Sequence, residues 1–404
     1  MKALLDSQTE AISKLELLKV GALLNRPGTG KSRTAIELIK SAKNINYVLW
    51  LAPYNSVNPK IIGTGIKDEV LKWGGFDCKC DFIGIESIQQ SDRIYLECLN
   101  KASKHNTFIV CDESLLIKNN EAKRTQRLFE LSKLCEYKLI LNGTPISRNL
   151  LDIWSQMYFL SPIILNMSHS EFENTFCEWT KITKKIGNSQ HSKKFITKYH
   201  NVDYLYSLIS PYVYEADLQL TVGQQHINID YIIEPDILKE YEEIKTKYLD
   251  NEIMQFLNNN IFLEMTMKMQ HLYSCSSNKF EVAKKIIDKH GAENVIIYRK
   301  FIDSDIELKK HFPNVTILSL QSDSMSLNLQ EKHITIEWDK TWDFAKIDQY
   351  QFRTYRTGQT KECYYYYLNG NVKLEKLIQD NNLKKQDALQ YLKGITKKQL
   401  KEIL

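Results

Sequence analysis

The sequence predicts an α/β protein of two parallel-sheet lobes with a mainly helical insert between them, and three observations carry that prediction. Short unbroken apolar runs alternate with amphipathic stretches in the first part of the chain, as buried strands and crossover helices do. The same alternation resumes in the last third, and between the two the pattern becomes polar with a helical period. A length of 404 residues allows two to three units with substantial cores.

Taken in order, Val20–Leu24, Tyr47–Ala52, Thr107–Cys111 and Tyr137–Leu141 are the strand candidates of the first lobe, with a helical pattern over Ser32–Ala42. This lobe is expected to span residues 1–160. Residues 161–277 read as the insert or bridge, with long helical stretches over Asp236–Leu249 and Ile253–Cys275 and few buried-strand candidates before Ile227–Ile233. The second lobe, 278–404, takes its strands from Asn294–Tyr298, Val315–Leu320, Ile334–Trp338 and Tyr364–Leu368. Its lysine-rich end, Lys384–Lys401, reads as an exposed basic helix. The four consecutive tyrosines 364–367 point alternately to both faces of a strand and read as packing against helices in preference to base stacking.

Composition excludes several classes. With 43% apolar and 25% charged residues the chain is neither disordered nor fibrous. A net charge of +5 is too small to imply a nucleic acid or an acidic membrane by itself, so any such partner must be argued from motifs. No apolar run approaches the roughly 18 residues of a spanning helix, and the start MKALLDSQTEAI has no apolar signal core, so a cytoplasmic protein without a membrane partner is expected. The eight cysteines lack paired CxxC spacing and read as reduced thiols.

Two motifs carry chemistry. Asn25-Arg26-Pro27-Gly28-Thr29-Gly30-Lys31-Ser32 lies between a predicted strand and a predicted helix, the context a phosphate-binding loop requires. Gly28, Thr29 and Gly30 would close backbone N–H groups around phosphates, Lys31 would reach the β- and γ-phosphates of ATP, and the Ser32 hydroxyl would complete the coordination of Mg2+. Alone, the same residues also read as a plain glycine turn. About eighty residues on, Asp112-Glu113 ends an apolar strand, where ligands of α/β sheets bind. Asp112 would hold the metal and Glu113 would orient or deprotonate the attacking water. Alone, this pair also reads as a solvated acidic turn.

With these residues in place the chain resembles the Swi/Snf-like branch of superfamily 2 helicases and DNA translocases. Asp112-Glu113-Ser114-Leu115-Leu116-Ile117-Lys118-Asn119 is similar to that family's acidic motif, and Leu141-Asn142-Gly143-Thr144-Pro145 through Leu150 to its third motif. The spacing of Gln349, Arg353, Arg356, Gly358 and Gln359 resembles its sixth. Gln8 resembles an adenine-reading glutamine, and the run from Leu51 to Ser56 the first DNA-contacting motif. The segment Asn294–Phe301 resembles the fourth motif, and Leu327-Asn328-Leu329 with Trp338, Asp339 and Trp342 the fifth.

The resemblance implies two RecA-like lobes and an ATPase that moves on duplex or branched DNA. It implies that Lys31, Asp112, Glu113, Arg353 and Arg356 are catalytic, that Gln8, Gly28, Thr29, Gly30, Lys31, Ser32 and Gln349 bind ATP, and that Gly143, Thr144 and Pro145 couple nucleotide state to DNA. The arginines would stabilise charge developing on the γ-phosphoryl oxygens. Without the rest of their motif they read as a pair at i and i+3 on a solvated helix face. DNA contacts are expected at Pro53, Asn55, Ser56, Arg299 and Ser319, with Lys60 and Lys300 as further candidates. The chain departs from the family pattern at Asn25 for the first loop glycine, at Leu115 for a histidine, and at Asp323, Ser324 and Ser326 for glycines. The stretch from Phe301 to Ser319 is short, and Pro211–Ala216 stands where an arginine pair is usual. Abundant Lys, Ile, Asn and Tyr and the compact length suggest a bacteriophage-like member acting in a bacterial cytoplasm. A nucleotide-gated binding scaffold with little turnover and an RNA helicase are the rival readings.

Overall fold

The computed structural model describes residues 3–59, 62–143, 150–186, 189–216, 220–249, 259–320, 329–356 and 358–383. The chain divides into two compact units, Met1–Leu218 and Gln219–Leu404. The first contains β1 (Val20–Leu23), β2 (Tyr47–Ala52), β3 (Lys79–Gly84), β4 (Thr107–Asp112), β5 (Tyr137–Leu141), β6 (Cys177–Ile186), β7 (Ser189–Tyr199) and β8 (Val213–Tyr214). The second contains β9 (Gln224–Tyr231), β10 (Val295–Arg299), β11 (Thr316–Ser319), β12 (Ile334–Glu337) and β13 (Cys363–Gly370).

In the first unit six strands form a sheet in the order β3-β2-β4-β5-β1-β8, with every pair parallel. The period of two explains the unbroken apolar runs. Along β2, Tyr47, Leu49 and Leu51 enter the core on one face, while Val48, Trp50 and Ala52 enter the core on the other. A strand covered by helices on both faces has no polar side to show. In the second unit five strands lie in the order β11-β10-β12-β13-β9, again all parallel. There Val295 and Ile297 face one core and Ile296 and Tyr298 the other. The fold is thus the predicted α/β arrangement with two parallel sheets.

The stretch 161–277 differs from a mainly helical insert in two ways. Its residues divide between the units, because β8 adds to the first sheet beside β1 and β9 adds to the second beside β13. It also contains an antiparallel hairpin, β6 paired with β7. Lysines interrupt the apolar alternation of these two strands, which hides their period, although Thr180, Ile182, Thr183 and Ile186 are β-branched and Gly187-Asn188 is a two-residue turn sequence. Strand β3 has no unbroken apolar run for a related reason: it is an edge strand, and most of its residues are only half-buried. The tyrosines of β13 do pack: Tyr365 and Tyr366 are buried, Tyr365 stacked with His226 and Tyr366 tilted against His290. All eight cysteines are free thiols. Among the described residues no helix is long and apolar enough to cross a membrane.

Candidate functional site

Parallel strands present all their C-terminal ends along one edge of the sheet, and the two chemical motifs of the first unit meet there. Leu141 at the end of β5 pairs with Leu23 of β1 on one side and with Asp112 of β4 on the other. The phosphate loop therefore leaves the sheet two strand spacings, about 10 Å, from Asp112.

The loop ends at Gly30, the N-cap of helix Lys31–Ser41, with a left-handed backbone (φ 82°, ψ 33°) that glycine adopts without strain. A Cβ at Gly30 would also lie 2.3 Å from Nε2 of Gln8. That buried glutamine accepts the Leu5 N–H (3.0 Å) and donates to the Gly30 carbonyl (3.3 Å), so it is fixed against the loop itself. Lys31 Nζ donates to the carbonyls of Asn25 (2.8 Å) and Arg26 (3.4 Å), and the Thr29 hydroxyl donates to Arg26 O (2.9 Å). Lys31 and Ser32 open the helix, whose first-turn N–H groups and positive dipole end favour an anion. Gly28 has a positive φ, but Asn25 does not, so the departure from glycine at that position introduces no backbone strain.

At the end of β4, Asp112 Oδ1 accepts the Glu113 N–H (3.0 Å). Burial, and next the Glu113 carboxylate beside it, push the Asp112 carboxyl well above the usual carboxylate range, while the Lys31 ammonium pulls the other way. Such a carboxyl gains from a divalent cation that replaces its lost hydration. Glu113 holds a left-handed backbone (φ 55°, ψ 56°), uncommon for a residue with a Cβ, and it caps the short 3-10 turn Ser114–Ile117. The glycine cradle, the helix N-terminus, the ammonium and the hydroxyl-carboxyl pair Ser32 and Asp112 suit a magnesium-bound triphosphate.

Behind the carboxylates a buried polar chain joins the acidic motif to the third motif and to Gln156. Ser114 Oγ donates to Gln156 Oε1 (2.6 Å) and accepts from Asn142 Nδ2 (3.3 Å), and Asn142 Oδ1 accepts the Gly143 N–H (2.8 Å). A Cβ on Gly143 would lie 3.1 Å from Cδ of Pro27, so the third motif touches the phosphate loop. Ser114 and Asn142 lie within the acidic and third motifs, whereas nothing local marks Gln156. Thr144 and Pro145 lie outside the described residues, as do Lys60, Asp323, Ser324, Ser326, Leu327, Asn328 and the stretch 384–404.

Of the first-lobe DNA candidates, Pro53 caps the short helix Tyr54–Val57 and is buried, Ser56 is buried, and Asn55 is half-buried. In the second unit Arg299 and Ser319 are register partners at the ends of β10 and β11. The guanidinium of Arg299 is engaged by Asp305 at 3.0 Å, and Ser319 is buried. Burial pushes the Lys300 ammonium down to about 8, and it donates to Gln270 Oε1 (2.8 Å).

Helix Phe344–Thr354 carries Gln349 and Arg353 one turn apart, hence on one face; Arg353 is buried and Arg356 follows the helix end. Gly358 has φ 98°. Gln359 ties the segment together: its Nε2 donates to the carbonyls of Gln330, Lys332 and Thr354, and its Oε1 accepts from the Thr360 and Lys361 N–H groups.

The chain is 22% identical over 336 residues to the ATP-dependent DNA helicase DDM1 of Arabidopsis thaliana, covering 66% of this chain and 43% of that protein. It is 24% identical over 327 residues to an uncharacterized ATP-dependent helicase of Mycoplasma pneumoniae, covering 70% of this chain and 30% of that one. It spans less than half the length of these curated relatives. A solved structure, the Sulfolobus solfataricus SWI2/SNF2 ATPase core in complex with dsDNA, aligns over 100% of this chain and 97% of its own at 17% identity, with a TM-score of 0.43. The family model described as the SNF2-related domain matches residues 78–315, which begin before the acidic strand β4 and run past β10 of the second sheet; with more than half of its length so matched, the chain belongs to the SNF2-related family.

Proposed function

We propose that the protein is an ATP-dependent motor that couples ATP hydrolysis to movement on duplex DNA. The observation that carries the proposal is the convergence, on one edge of one parallel sheet, of the glycine cradle holding Lys31 and of the Asp112-Glu113 pair, in a chain of the SNF2-related family. In this reading Lys31 leaves the loop carbonyls it now satisfies and binds the β- and γ-phosphates, while the first-turn N–H groups bind their oxygens. Ser32 and Asp112 would hold a magnesium ion, which supplies positive charge to the phosphate oxygens when bound. Glu113 would orient and deprotonate the attacking water, and Gln8 would read the adenine from its anchor on the loop. Arg353 and Arg356 would supply charge to the γ-phosphoryl group during turnover, and Gln349, on the helix that carries Arg353, would bind ATP.

Coupling would run through Gly143 with Thr144 and Pro145, because Gly143 abuts Pro27 of the loop and is tied through Asn142 to the Ser114 network. DNA would be held along its backbone through the segment Pro53–Ser56 and the strand ends at Arg299 and Ser319, without base reading. Branched DNA as a preferred substrate, and the cytoplasm as the site of action, extend the same reading.

Steady-state ATP hydrolysis measured alone and with duplex DNA, single-stranded DNA and RNA tests it. Duplex DNA should stimulate turnover, and Lys31→Ala and Glu113→Gln should each lower the stimulated rate about 100-fold or more. Tight ATP binding with no turnover under any condition would instead identify a nucleotide-gated scaffold, a reading that Leu115 at the usual histidine position favours. Stimulation by RNA alone would make it an RNA helicase.

A further inference from the structure

One segment of the first unit carries as much surplus positive charge as the whole chain. From Cys177 to His200 the sequence holds six lysines, at 181, 184, 185, 193, 194 and 198, and one acid, Glu178, a net of +5. That equals the net charge of the whole chain, so acids and bases balance across all the other residues. The same segment is the hairpin β6/β7, two strands of 10 and 11 residues that extend about 30 Å.

Its base is anchored. Trp179 and Ile196 are register partners and pack against the core of the first unit, and the His200 N–H donates to Phe176 O (3.0 Å). The one acid is also at the base, where the Glu178 carboxylate meets His200 Nε2 at 3.0 Å. Beyond it the ribbon has lysines and no carboxylate. The register sets Lys181 opposite Lys194 and Lys184 opposite His191. Cross-strand partners share a face and successive pairs alternate faces, so Lys181, Lys185 and Lys194 fall on one face and Lys184 and Lys193 on the other. Like charges directly opposite one another destabilise a two-stranded ribbon, and the ribbon sequence has no acid beyond Glu178 to offset them; a polyanion would.

We propose that this hairpin is a sequence-independent duplex-DNA-binding arm, which grips phosphates on both walls of a groove. A two-stranded β-ribbon fits the major groove of B-DNA, and lysines on both faces would meet the phosphates flanking it. The ribbon contains no arginine for bidentate base contacts, so its lysines act as point charges on the backbone. The choice of duplex DNA as the polyanion rests on the motor reading above.

The test is duplex binding by the full chain without nucleotide, titrated between about 50 and 200 mM salt, for wild type and for a Lys181→Gln, Lys184→Gln, Lys193→Gln, Lys194→Gln variant. Each lost phosphate contact removes about 0.9 from the slope of log affinity against log salt, so the variant's slope should be shallower by about 3 to 4 and its affinity at low salt at least about tenfold weaker. A charge-matched control, Lys19→Gln, Lys72→Gln, Lys133→Gln, Lys268→Gln, changes exposed lysines elsewhere and should keep most of the wild-type slope. An unchanged slope in the hairpin variant, or an equal fall in the control, overturns the proposal. So does dependence on the ribbon lysines that is seen with RNA or anionic vesicles and not with the duplex. An unchanged slope alongside DNA-stimulated hydrolysis leaves the motor standing without the arm; ribbon-dependent duplex binding without stimulated hydrolysis supports the arm and counts against the motor.

Discussion

Gly30 is asked for two things at once, a left-handed backbone and an empty space where Gln8 lies. Gly30→Ala should therefore weaken ATP binding at least about tenfold and destabilise the first unit by roughly 1–3 kcal/mol, from strain and from displacement of the Gln8 amide. Isothermal titration with a non-hydrolysable ATP analogue and denaturant unfolding would measure the two effects. A different argument applies to Glu337, at the end of β12 and without role in the motifs. It is 4% exposed, and burial raises its carboxyl to about 7, opposed first by Lys340. The folded protein thus holds a proton that the unfolded chain releases near the ordinary glutamate value. The stabilisation from that proton is complete below about 4.5 and is lost as pH rises through 7. Glu337→Gln, which keeps the volume and has no charge to desolvate, should stabilise the second unit by on the order of 2–3 kcal/mol at pH 8 and little at pH 4.5. Unfolding midpoints across that range in wild type and variant would show it; parallel curves would mean that the carboxyl is ionised in the folded state throughout.

At the scale of elements, what could be read from the sequence depended on how local the cause was. Strands β2 and β5 match their apolar runs end to end because each is buried on both faces, and Lys31, Asp112 and Glu113 fell where loop and strand-end chemistry puts them. Strand β8 has two residues and no period to detect, and the hairpin hid under its lysines. The Ser114–Gln156 contact depends on a partner 42 residues further along the chain. Gln359 shows the limit well. Its position in the sixth motif was legible, but its work was not, since two of its acceptors are backbone carbonyls of Gln330 and Lys332, nearly thirty residues earlier. Gln359→Ala would leave these carbonyls and the Thr360 and Lys361 N–H groups short of partners. It should destabilise the second unit by about 2–4 kcal/mol while leaving ATP affinity at the first unit within about twofold. Loss of ATP affinity with unchanged stability would instead make Gln359 a nucleotide contact.

Over the whole molecule, the placement of β8 decides where the first unit ends. Reading the sequence alone puts the close of the first lobe at residue 160, whereas the compact unit continues to Leu218. The added segment is not peripheral: Phe172, Phe176, Leu205, Ile209 and Val213 enter the same core as Ala22, Ile109 and Ile140, and β8 lies directly against β1, the strand that delivers the phosphate loop. Full burial of five such side chains contributes about 10 kcal/mol at roughly 2 kcal/mol each, comparable to the entire stability of a typical domain. A fragment of residues 1–218 should therefore unfold cooperatively and bind an ATP analogue, since the cradle, Lys31, Ser32, Asp112 and Gln8 all lie within it. A fragment of residues 1–160 should expose that core, bind a hydrophobic dye and lack a cooperative transition. Circular dichroism melts and analogue titrations on the two fragments separate the cases. A cooperative, nucleotide-binding 1–160 would mean that the Phe172–Val213 contacts are dispensable and that the lobe closes where the apolar runs alone would place it.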